Sequence, residues 1–89
     1  MTNRHLWTLL IDGQRHKICV SVLLTEPGIG THEVFVDLQG GGGGRVEVAR
    51  RTLGAREGAM IPILVAGRTL VVHIEDKARH NASLVVPGL

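Results

Sequence analysis

Leu9-Leu10-Ile11-Asp12-Gly13-Gln14-Arg15-His16-Lys17-Ile18-Cys19-Val20-Ser21-Val22 decides the fold. Asp-Gly between two apolar runs signals a two-residue hairpin, because both central positions of a type I′ turn need positive φ. Beyond the turn, Ile18, Val20, Val22 and Leu24 recur with period two and share one face. Lys17, Cys19 and Ser21 share the other. A helix would repeat its apolar positions every three to four residues, so this stretch is a pair of strands, Leu6 to Ile11 and a second run through Leu24.

The same grammar extends along the chain. Glu26-Pro27-Gly28-Ile29-Gly30 is a turn or loop, with Pro fixing φ and the glycines easing the reversal. His32 to Leu38 reads as a strand with Val34, Val36 and Leu38 on one side and Phe35 on the other. Five glycines, Gly40 to Gly44, then form a flexible hairpin loop, since ordering each one is entropically expensive. Arg45 to Arg50 is the returning strand, and residues 51 to 58 read as a polar connection with at most one helical turn at Ala55-Arg56-Glu57. Met60 to Val65, a turn at Ala66-Gly67, and Thr69 to Glu75 make a third hairpin. Pro62 assigns the first of these arms to a sheet edge or a bulge. A polar turn, Asp76 to Asn81, precedes a last short strand at Ser83 to Val86, which Pro87-Gly88 ends.

One unit repeats. Leu9-Leu10-Ile11-Asp12-Gly13 aligns with Ile63-Leu64-Val65-Ala66-Gly67 at an offset of 54 residues, and the apolar positions stay matched through Val20 and Ile74. The middle hairpin, Val34 to Val48, follows the same plan with an expanded turn. The expectation is one all-β domain over residues 1–89. It is a small antiparallel meander of about six to seven strands, either a closed barrel or a small sandwich.

Eighty-nine residues, 44% apolar and 20% charged, are enough for one core and too apolar for a disordered chain. The core is aliphatic, with Trp7 and Phe35 the only aromatics. Ten Lys plus Arg against eight Asp plus Glu is a weak excess. The densest basic group, Arg45, Arg50, Arg51 and Arg56, is interleaved with Glu47 and Glu57, which argues for a solvated face and against nucleic-acid binding. Cys19 stands alone, so the chain reads as cytoplasmic, with a half-buried strand thiol and no intrachain disulfide. The N-terminal apolar run is too short for a signal peptide, and no run approaches a membrane span.

Site chemistry is sparse. His5, His16, His32, His73 and His80 have no metal-ligand spacing. Ser21 and Ser83 sit in strand patterns, not on a nucleophile elbow. The glycine run lacks the Lys-Ser/Thr and the helix of a phosphate-binding loop. Asp12, Asp37, Glu75 and Asp76 are explained as turn and surface charges, and Asn81-Ala82-Ser83 as a chance sequon. The expectation is therefore a non-enzyme with no catalytic, cofactor-binding or metal residues and no cofactor.

Leu10-Ile11-Asp12-Gly13-Gln14-Arg15-His16-Lys17-Ile18-Cys19-Val20 resembles hairpins that precede the biotinyl domain. Such hairpins occur in biotin carboxyl carrier proteins and in the biotin-bearing subunits of acyl-CoA carboxylases. Val46 to Arg51 and Pro62 to Glu75 are similar to the continuation of that region, and Val85-Val86-Pro87-Gly88-Leu89 looks like the first strand of a biotinyl domain. The resemblance spans roughly residues 6 to 88. It departs from the family where it matters chemically: there is no Ala-Met-Lys-Met acceptor motif, and neither Lys17 nor Lys77 has flanking methionines. It implies a non-catalytic accessory or docking β domain whose partner is a carrier domain or a carboxylase subunit. The alternative is a stand-alone or engineered β module that self-associates through strand edges, the five-glycine run being a common artificial linker.

Overall fold

A computed structural model describes residues 2–40, 43–75 and 81–87. It is all-β. The strands are β1 (Thr2–Ile11), β2 (Gln14–Glu26), β3 (Thr31–Gly40), β4 (Val46–Leu53), β5 (Ala59–Val65), β6 (Arg68–Ile74) and β7 (Ala82–Val85). They form two antiparallel sheets, in the orders β1-β2-β3-β4 and β5-β6-β7. Neither sheet closes on itself, so the described strands carry four edges: β1, β4, β5 and β7.

The Asp12-Gly13 turn has the expected geometry, with φ of 51° and 79°. It sets Ile11 opposite Gln14 and runs in unbroken register to Thr2 opposite Leu23. Ala66-Gly67 repeats the turn, with φ of 49° and 78°, and sets Val65 opposite Arg68. The left-handed conformation at Ala66 is borne by a residue with a Cβ, and it is held there by the strands on either side. Gly30 is also left-handed, at φ 74°, in the β2–β3 connection, where it closes a backbone bond of 2.8 Å to the Glu26 carbonyl.

Period-two alternation buries one face of each sheet. Ile11, Ile18, Val20, Val22, Val34, Val36 and Leu53 come from the first sheet. Ile61, Ile63, Val65, Leu70, Val72 and Ile74 come from the second, and all thirteen belong to one hydrophobic cluster. Trp7, Leu9, Leu38, Ala49 and Leu84 pack against its margin. No charged or polar residue as a whole is buried among the described residues, although the Nε2 atom of His5 is.

Two boundaries depart by three residues or more from the sequence expectation. β1 starts at Thr2, because pairing with Ser21, Val22 and Leu23 carries the polar Thr2–His5 segment as a strand. β4 continues to Leu53 through residues that read as a connection, since Arg51, Thr52 and Leu53 pair with Val34, Glu33 and His32. A bulge between Val36 and Asp37 absorbs the extra residue in β4. The reversal at 54–57 is a turn closed by Glu57 N–H to the Gly54 carbonyl at 3.3 Å, with Glu57 Oε1 accepting from Gly54 N–H at 2.9 Å. Gly41 and Gly42 of the glycine loop, most of the Asp76–Asn81 turn, and Gly88 and Leu89 lie outside the described residues.

Candidate functional site: faces and edges of the two sheets

The polar residues that the sequence singled out are dispersed. His5 lies on the core-facing side of β1, its ring stacked on Trp7 at 6.0 Å between centroids, and its Nε2 is buried without a hydrogen-bond partner among the described residues. His16 packs beside Gly40, where an added Cβ would come within 2.7 Å of Nδ1. His32 Nδ1 is 2.8 Å from the Gly30 carbonyl, which makes it the donor and fixes the tautomer. His73 stands on the outer face of β6, opposite Met60. Among the described residues no three His, Cys, Asp or Glu side chains converge on a metal-sized site, and His80 is outside them.

Cys19 is half-buried on the outer face of the four-stranded sheet, between Leu6 and Asp37. With Leu6, Lys17, Asp37, Gln39 and Arg45 it lines a cleft of about 100 Å³. That is well short of the roughly 300 Å³ at which small-molecule sites begin. A broader depression of about 360 Å³ at Gly58, Ala59, Met60, His73 and Ile74 is wide open to solvent and does not enclose a ligand.

The arginines do not form one basic face. Arg50 is opposite Phe35 and Arg51 opposite Val34, so strand alternation sends them to opposite sides. The Arg50 guanidinium donates to Glu47 at 3.0 Å and lies 4.5 Å above the Phe35 ring. The hydrogen bond to Glu47 raises the Arg50 pKa further above its ordinary value. Arg51 Nη1 donates to the Arg50 carbonyl at 3.0 Å. Arg45 sits apart, at the Cys19 cleft.

The edges differ more than the clefts do. In a two-residue type I′ hairpin the residues flanking the turn exchange both backbone hydrogen bonds, and bonded and non-bonded pairs alternate from there. Ile11, Leu9, Trp7, His5 and Asn3 therefore direct their backbone groups at β2. Leu10, Thr8, Leu6, Arg4 and Thr2 direct theirs outward, to the free edge. Their side chains are the exposed set of the strand, with Leu6 63% and Leu10 71% exposed.

The same reasoning on β5 turns Leu64, Pro62 and Met60 outward, and Pro62 has no N–H to offer there. On β4 the bulge interrupts the ladder, and the Arg50–Glu47 ion pair occupies its outer face. β7 is four residues long. Proline, a bulge with charges, and shortness are the standard ways of blunting an edge against pairing. β1 has ten residues, no proline, no bulge and one charge, Arg4.

The sequence offers association through strand edges but does not say which strand, because which strands are edges depends on sheet order. Pro62 was the visible half of the signal, since the 54-residue repeat aligns it with Thr8.

No family model, curated protein or solved structure matches the chain. What the fold and its surfaces define is an all-β, antiparallel, two-sheet protein with one unblunted sheet edge among the described strands.

Proposed function

We propose that the protein is a non-catalytic interaction module that takes an extended strand from a protein partner onto the free edge of β1. The single observation behind this reading is the contrast between edges: β4, β5 and β7 are blunted, and β1 presents five outward-facing residues in regular register. Backbone groups at such an edge supply affinity, and the exposed Leu6 and Leu10 supply apolar contacts beside them. We read the two sheets as a small sandwich rather than a barrel. Both contribute to one buried cluster, and a smallest Cα extent of 15 Å suits two layers about 10 Å apart. Such a sandwich holds β1 rigid from behind through Trp7, Leu9 and Ile11.

The accessory-domain function implied by the hairpin resemblance belongs to the same class, with a carrier domain or carboxylase subunit as the strand donor. The edge contrast speaks to the docking mode and is neutral on that identity.

Isotope-labelled protein at high dilution, titrated with a synthetic peptide of residues 2–11, tests the reading. The expected result is perturbation and slowed exchange of the Arg4, Leu6, Thr8 and Leu10 amides. An unchanged β1 edge at saturating peptide overturns it.

A further inference from the structure

We infer that the strand taken up by β1 is β1 of a second copy, paired antiparallel in a two-fold register centred on Leu6. The inference rests on the strand-addition reading above and adds the partner and the register. Its basis is the symmetry of the outward-facing set. Thr2, Arg4, Leu6, Thr8 and Leu10 are evenly spaced about Leu6, so a two-fold axis there sets Leu6 opposite Leu6 of the second copy. It sets Arg4 opposite Thr8, and Thr2 opposite Leu10. Every outward backbone group of the strand from Thr2 to Leu10 then finds a partner, giving about ten hydrogen bonds across the axis at two per facing pair. The result is a continuous eight-stranded sheet.

Side chains favour the same register. On the outer face the two Leu6 side chains meet, which covers one of the most exposed apolar residues of the first sheet. Arg4, the only charge on β1, faces a threonine, and the next cation in that row, Lys17 of the second copy, lies one strand further at about 10 Å. On the core-facing side the intervening residues pair His5 with Trp7 of the second copy. This brings an indole N–H donor toward the imidazole whose buried Nε2 has no partner among the described residues. A shift of two residues either way leaves outward groups unpaired at both ends.

The molecule supplies its own control. The repeat unit that contains β5 carries Pro62 where β1 carries Thr8, and the β5–β6 hairpin keeps its register with proline there. Thr8→Pro copies that feature into β1. It removes an N–H that faces away from β2, so the hairpin stays intact while the edge loses one of the two bonds in each of two facing pairs related by the axis, and the proline ring crowds the incoming strand.

The test is sedimentation equilibrium of the full chain, with far-UV circular dichroism as the check on folding. It is paired with disulfide trapping in the Cys19→Ser background, because Cys19 lies opposite Leu6 within the hairpin and would capture a cysteine there. The wild type is expected at twice the mass of one chain. Thr8→Pro is expected at the mass of one chain with an unchanged spectrum. Leu6→Cys is expected to cross-link between copies at least tenfold faster than Leu10→Cys. If Thr8→Pro unfolds, the Leu6-versus-Leu10 trapping ratio still decides. A wild-type monomer at several hundred micromolar overturns self-pairing; if that monomer still binds the residue 2–11 peptide at its β1 amides, the strand-addition reading survives alone. A Thr8→Pro dimer, or equal trapping at Leu6 and Leu10, overturns the register.

Discussion

Replacing Ala66 by Asn should stabilise the protein, and the size of the gain follows from one backbone angle. Ala66 is at φ 49° and Asp12, its counterpart in the other type I′ turn, at φ 51°. An L-residue in the left-handed region costs roughly 1–2 kcal/mol, and Asn and Asp recover part of that through local hydrogen bonding. Asn at 66 should therefore add about 0.5–1 kcal/mol, a share of that strain. Ala66→Gly removes the whole Cβ penalty but loosens the unfolded chain by about 0.4–1 kcal/mol, so its net gain should be comparable to that of Asn.

For a domain of this size about 1 kcal/mol moves the midpoint by roughly 4–8 °C, which makes the Asn effect readable by a thermal melt followed in the far ultraviolet. Urea titration gives the free energy directly, at one fixed protein concentration so that any association is common to all variants. Asp12→Ala, which creates at the first turn the strain found at the second, should lower stability by about the amount that Ala66→Asn raises it. An Ala66→Asn protein no more stable than the wild type, with Asp12→Ala also neutral, would refute the assignment of strain to this turn.

Other consequences are as direct. Gly67→Ala should cost roughly 1–2 kcal/mol from its φ of 78° alone, since an added Cβ meets nothing within 4 Å. Gly30→Ala should cost more, because there the Cβ also comes within 3.0 Å of the Ala55 Cβ; comparing the two urea midpoints separates strain from contact. Ile18→Ala, at a fully buried position beside Trp7 and Leu38, should cost about 2–5 kcal/mol, and Ile74→Val about 0.5–1.5 kcal/mol, on the same titration. Leu6→Cys with Cys19 in place should close an intrachain disulfide under mild oxidation, because directly opposed residues in a non-bonded pair lie about 4.5 Å apart. A register slipped by one residue would leave both thiols free in a mass-spectrometric thiol count.

Much of the fold was legible because its signals are local. Asp12-Gly13, the period-two run from Ile18 to Leu24, and the alternation of Leu70, Val72 and Ile74 each declare a strand or a turn within a few residues. What escaped depends on distant partners. Thr2–His5 and Arg51–Leu53 have no apolar pattern strong enough to announce a strand, and they become strands by pairing with β2 and β3. The division into sheets of four and three strands is equally non-local, as is the bulge at Val36/Asp37. The candidate site fell in the same gap. Thr8 and Leu6 are unremarkable as residues, and they gain meaning only once β1 is an edge and Pro62 is seen guarding the equivalent position on β5.

Amide hydrogen exchange along β1 in the intact chain, measured at high and at low protein concentration, tests the role of that edge most directly. Asn3, His5, Trp7 and Leu9 bond to β2 and should be protected at both concentrations. Arg4, Leu6, Thr8 and Leu10 should be protected only in the concentrated sample, and in Thr8→Pro the Arg4, Leu6 and Leu10 amides should be unprotected at either concentration. Fast exchange of these alternate amides at every concentration, with or without the residue 2–11 peptide, would contradict a pairing role for the β1 edge.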